Sequence, residues 1–197
     1  WALMGFLFVA LVVFITLFEY YRGVRARRHR TGENWLSALI NLMGRNRRRY
    51  GGYIIHLGVV LMALGIIGIE MFQTETQGTI PPGGSLKLGP YEVTFNRLDI
   101  FDAADGRNVA RATVLVSKDG RTLAELHPRR DLYIDTMQPM TIPGVRSTIE
   151  DDLYVLLVDW QPISSTGVTF KIYHNPLINW LWIGGFVFIL GTLVAAW

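Results

Sequence analysis

The sequence predicts an integral membrane α-helical protein with a small all-β domain, an antiparallel barrel or sandwich, inserted between its last two spans. Three observations carry this prediction. Three apolar runs, Ala2–Phe18, Gly52–Phe72 and Pro176–Trp197, each approach the ~20 residues a helix needs to cross a ~30 Å hydrocarbon core. The two segments that join them carry opposite net charge. The longer segment alternates apolar and polar residues with a period of two, which is the pattern of half-buried strands. The chain has no cysteine, which excludes disulfides, thiolate metal sites and a thiol nucleophile.

Taken in order, residues 1–21 form the first span. Residues 22–51 are a basic loop in which nine arginines, from Arg22 to Arg49, face one carboxylate, Glu33. A short loop so rich in arginine stays in the cytoplasm. Within it Trp35, Leu36, Leu39, Ile40 and Met43 recur at helical spacing, which predicts a short interfacial helix over 33–43 with Thr31 as its cap. Residues 52–72 are the second span. Residues 73–175 carry thirteen acidic and ten basic side chains and lie outside, in the periplasm if the source is Gram-negative. Residues 176–197 are the third span. Trp180, Trp182, Tyr173, Tyr50, Tyr53, Tyr20 and Tyr21 fall at span ends, as interfacial aromatics do. The positive net charge therefore reflects topology, and no interleaved basic–aromatic pattern points to nucleic acid. With Trp1 at its start and Trp197 inside an apolar run, the chain reads as a piece of a longer protein or one half of a split one.

The outer segment breaks into strands. Tyr91, Val93 and Phe95 alternate with Glu92, Thr94 and Asn96, and Ala110, Ala112, Val114 and Val116 form a second such set. Asp119–Gly120 marks a tight turn back into Thr122–Leu126. Leu153–Trp160 is a long apolar strand, and Val168, Phe170 and Ile172 alternate again. The breakers between them are 81–84, Gly89–Pro90, Asp105–Gly106, Pro139, Pro143–Gly144 and 164–167. Five to seven strands are expected.

The chemistry centres on His56, one turn into the second span. Ionisable groups at membrane depth are costly and tend to be functional. Gly52 lies four residues earlier on the same face, and Val59, Val60 and Ala63 continue it, so a flat ligand or another helix could approach closely. A neutral imidazole beside small apolar residues suits an axial haem ligand. The alternative is a histidine bonded to a neighbouring helix carbonyl or reaching the headgroups. His29 reads as interfacial polarity and His127 as a surface histidine. His174 lies where the outer segment meets the third span, within reach of headgroups. Glu150, Asp151 and Asp152 are the only acidic cluster and read as a solvated loop. No phosphate loop, catalytic triad or HExxH motif is present.

Three stretches, RRRYGGYIIHLG, PGVRSTIEDDLYVLL and YHNPLINWLWIGG, occur in this order. Together they resemble the C-terminal part of the CcmF family, membrane subunits of bacterial cytochrome c haem lyases. The resemblance covers most of residues 40–197. It implies that His56 is one of two transmembrane axial ligands of a b-type haem (haem b), with its iron as the metal. On the residues themselves, Gly52 would give such a haem close approach, and Arg47, Arg48 and Arg49 would neutralise its propionates if these point to the cytoplasmic side. The resemblance further implies a multi-pass inner-membrane protein and a role in covalent attachment of haem to apocytochrome c. The implied partners are a CcmE-like haem chaperone, a CcmH-like apocytochrome-binding subunit, apocytochrome c itself, and the rest of CcmF or a split subunit. The family's tryptophan-rich haem-handling loop, its two flanking histidines and the second transmembrane ligand are not in this sequence. None of His29, His127 and His174 matches them, so this chain would not be catalytic alone. A non-catalytic reading also stands: a membrane-tethered β-domain that docks the chaperone or apocytochrome, with His56 structural.

Overall fold

The computed structural model describes residues 1–159 and 167–197 and divides into two compact units. The first unit comprises Trp1–Phe72 and Leu177–Trp197. It contains α1 (Ala2–Thr31), α2 (Trp35–Arg45), α3 (Arg47–Phe72) and α4 (Asn179–Ala196). Of these α1, α3 and α4 are long and apolar enough to cross a membrane.

The helices overrun the expected limits at their basic ends. α1 does not stop near Tyr21 but continues through its arginines to Thr31. Gly32, at φ 70°, ends it by donating its N–H to the Arg28 carbonyl. Arginine is a good helix former, so a charged stretch need not be a loop. Thr31 does not cap α2; its hydroxyl bonds back to the Arg27 carbonyl. The cap is Asn34, whose side chain accepts from the Ser37 N–H at 2.8 Å. α2 is thus shifted two residues from 33–43. Asn46 alone separates it from α3, which begins at Arg47 rather than Gly52. At the other end Pro176 closes the last strand, and α4 starts only at Asn179.

α3 and α4 pack antiparallel through glycine. A Cβ on Gly51 would sit 2.6 Å from the Ala195 nitrogen, one on Gly58 2.5 Å from that of Phe188, and one on Gly65 2.6 Å from that of Leu181. These contacts are with backbone, so the two helices approach as closely as small residues permit. α1 joins α3 through the stacked pair Phe6–Phe72 and through Tyr20, whose hydroxyl donates to the Tyr50 carbonyl at 2.7 Å.

The second unit, Gln73–Pro176, is a β-sandwich. Its strands are β1 (Thr74–Ile80), β2 (Ser85–Leu88), β3 (Tyr91–Asp102), β4 (Arg107–Lys118), β5 (Arg121–Leu126), β6 (Arg129–Tyr133), β7 (Gln138–Ile142), β8 (Gly144–Ser147), β9 (Asp151–Asp159) and β10 (Val168–Pro176). One sheet runs β1-β10-β9-β8. The other runs β2-β3-β4-β6-β7, with β5 also paired to β4. All pairings are antiparallel. Tyr91, Val93, Phe95, Val114 and Val116 meet Leu153, Val155, Leu157, Phe170 and Ile172 in the core, with the Phe95 and Phe170 rings 5.3 Å apart. The Asp119–Gly120 turn has φ of 51° and 76°, as a two-residue hairpin requires. His127–Pro128 interrupts one edge of β4 and divides β5 from β6. Pro128 has no N–H to give, but its carbonyl accepts from Ala112.

The ten strands among the described residues exceed the expected five to seven. The additional ones are mostly sheet margins: β1, β2, β7 and β8 end the two sheets. Margins carry little buried alternation, and Pro139 lies within β7, where an outer strand tolerates it. Trp160 and the expected breaker at 164–166 lie outside the described residues.

Candidate functional site

α3 turns about 100° per residue, which places Gly52, His56, Val59, Ala63, Ile66 and Glu70 along one strip. Val59 and Ile66 are about half exposed, and His56 and Glu70 are exposed too. A Cβ on Gly52 would meet nothing within 4 Å. The His56 ring makes no hydrogen bond or ion pair with any described residue. Val60, expected on this face, is buried instead. Because α3 begins at Arg47, His56 lies nine residues into the helix, about 14 Å along its axis, and the last turn of that distance follows Gly52.

The three arginines at the head of α3 fan out. Arg47 is about half a turn from His56, on the α4 side, and donates to the carbonyls of Gly44 (3.1 Å) and Trp197 (3.2 Å). Arg49 lies nearly in line with His56, about 10 Å before it. Its Nε donates to the Tyr53 hydroxyl at 3.0 Å, and its Nη2 meets Glu19 at 3.3 Å. Arg48 is exposed. A neutral imidazole offers one lone pair to a metal. The His56 ring stands on an open strip, apolar from Val59 to Ile66, beside a glycine with free space above it, so these residues fit a planar, iron-centred ligand.

A second cluster lies in the sandwich and was not foreseen. Asp151 and Asp152 are not in a solvated loop: they begin β9 and are buried. The Asp151 carboxylate accepts from the Tyr91 hydroxyl at 2.7 Å and the Thr148 hydroxyl at 3.0 Å, and lies 2.8 Å from His174 Nε2. Burial opposes its charge, but the hydrogen bonds from Tyr91, His174 and Thr148 prevail and hold it below the usual carboxylate range. Burial, together with that carboxylate, pushes the Tyr91 phenol up to about 12. His174 is therefore tied into the sandwich. Tyr91 and Asp151 are sixty positions apart, so no local signal could have paired them. His127 is exposed, 3.4 Å from Glu125, and His29 is exposed in the last turn of α1. Among the described residues no group of three His, Cys, Asp or Glu side chains is placed to hold a metal ion.

Residues 71–176 match the family described as the CcmF C-terminal beta-sandwich. Over 155 residues the chain is 30% identical to the cytochrome c-type biogenesis protein CcmF of Pseudomonas aeruginosa, covering 76% of this chain and 22% of that protein. Over 186 residues it is 27% identical to CcmF of Haemophilus influenzae, covering 93% and 27%. The chain thus spans about a quarter of the length of these relatives. The fold resembles a solved structure titled Cytochrome c Heme Lyase CcmF, with a TM-score of 0.64 and 20% identity over 94% of this chain and 34% of that one. With more than half of its residues, its whole β-unit among them, inside the matched family, the chain belongs to the CcmF family.

Proposed function

We propose that this chain acts in cytochrome c biogenesis as part of a haem lyase, supplying one wall of a haem b site and a docking domain. The observation that carries the reading is the unpartnered His56 ring beside uncovered Gly52 on α3. His56 is assigned as an axial ligand of the iron, and Gly52, Val59 and Ala63 as the apolar wall on which the macrocycle rests. Such a haem, when bound, supplies one-electron chemistry whose potential depends on its ligands and burial. The second ligand comes from the rest of CcmF or a split subunit. Of the three arginines, Arg49 and Arg48 are assigned to the propionates, since they are nearest the His56 side of α3. Arg47 turns toward α4.

The inner membrane is the proposed location, with the sandwich in the periplasm. There Ile100, Phe101, Ile134, Met137 and Met140 are exposed near the tips of the β3–β4 and β6–β7 hairpins. Exposed apolar and methionine side chains of this kind suit docking. The proposed partners are a CcmE-like haem chaperone, a CcmH-like apocytochrome-binding subunit and apocytochrome c.

The test is the visible spectrum of the purified complex carrying His56→Gly. Loss of the reducible b-type bands, restored by added imidazole, is expected. An unaltered spectrum would leave the sandwich as a docking module alone.

A further inference from the structure

We propose that a cavity between α1, α2 and the start of α3 binds the headgroup of an anionic phospholipid. This rests on the helices lying in a membrane, but not on the haem assignment. The cavity has a volume of about 360 Å³, within the range of small-ligand pockets. Arg27, Arg30, Arg45 and Arg49 stand around it, over Gly23, Ala26, Leu42 and Tyr50, and no carboxylate lines it.

Two of the four charges are already compensated. Arg27 forks onto Glu33 through two 2.8 Å hydrogen bonds, and Arg49 holds Glu19. Arg30 and Arg45 make no close ion pair with any described residue, although Arg45 feels the Glu33 carboxylate at longer range. The cavity therefore presents guanidinium charge in excess of the carboxylates Glu19 and Glu33 that neighbour it, above a partly apolar floor. Guanidinium groups suit phosphate oxygens, and the apolar floor suits the glycerol and first methylenes that follow them.

The depth also fits. α2 leaves Trp35, Leu36 and Ile40 exposed. The Arg28 guanidinium lies 4.7 Å from the Trp35 ring centre, and Tyr21 stacks on that ring at 5.8 Å. An amphipathic helix with this dressing lies at the headgroup boundary, so the cavity opens where lipid phosphates are concentrated. Free phosphate shares the charge but gains nothing from the apolar floor.

Native mass spectrometry of the protein extracted in mild detergent tests this, with phosphatidylglycerol, phosphatidylcholine of the same chains, glycerophosphoglycerol and inorganic phosphate as probes. Phosphatidylglycerol should be retained about tenfold better than phosphatidylcholine, and neither soluble probe should displace it at equal concentration. Arg30→Gln with Arg45→Gln should abolish that preference. Ala26→Trp, which fills the cavity and keeps every charge, should abolish it as well. Unchanged retention in the arginine double variant overturns the proposal. So does displacement by inorganic phosphate, or an Ala26→Trp protein that still prefers the anionic lipid, which would mark diffuse attraction without a shaped site. Circular dichroism of each variant separates lost binding from lost helix.

Discussion

Gly51 and Gly52 are neighbours on α3 and do opposite things. A side chain at Gly51 would strike the backbone of Ala195, whereas one at Gly52 would enter open space. One glycine brings a helix close; the other leaves room. The same contrast separates two imidazoles. His174 is bonded within its own sandwich to Asp151, while His56 has no partner among the described residues. Closed positions in this molecule hold its own elements together, and open ones are those we propose to meet a ligand or another subunit.

The largest break should come from Gly58→Leu. Its Cβ would lie 2.5 Å from the Phe188 nitrogen and 2.8 Å from the Gly184 carbonyl oxygen. We expect a loss of about 3 kcal/mol, read as separation of α3 from α4 in disulfide cross-linking of engineered cysteine pairs. Next, His174→Ala should cost the sandwich about 1–3 kcal/mol in urea unfolding, because it strips a donor from a buried carboxylate. His56→Gly should leave that unfolding curve unchanged.

Alanine at the paired glycines sharpens the contrast in sign. Gly51→Ala should destabilise, whereas Gly52→Ala should gain up to about 1 kcal/mol of helical propensity. Thermal unfolding in detergent distinguishes them, and Gly52→Ala should still diminish the b-type absorption.

A comparable effect is one of pH. The Tyr91 phenol is raised from 10 to about 12, so its neutral form favours the folded state. That contribution is complete below pH 10 and declines between 10 and 12, where an unfolded tyrosine ionises first. On the acid side Asp151 is depressed, so its contribution fades as pH falls through its lowered value. Urea midpoints at pH 9 and 11 should differ less for Tyr91→Phe than for the unaltered protein.

Much of the core was legible because it is local. The alternations at Tyr91–Phe95, Ala110–Val116 and Val168–Ile172 show period two without knowledge of the partner strand. β1, TETQGTI, shows no such pattern because it is a sheet margin with one buried end. The arginines of α1 read as a loop because charge masked a helix that local propensity favours. His56 was visible as an anomaly in an apolar run. Its open surroundings depend on which face of α3 meets α4, and that follows from glycines seven apart, whose partners lie over one hundred positions away. The burial of Asp151 was hidden for the same reason: its own neighbours are acidic, and two of its donors, Tyr91 and His174, are distant.

The pairing of the sandwich's first and last strands sets an order of events. Thr74 faces His174, one hundred positions later, and every ladder bond of β1 is made to β10. A ribosome releasing this chain must therefore finish nearly the whole insert before β1 finds its neighbour. Until then the strand waits with its edge bare, and the sheet closes just as the next apolar helix begins to emerge.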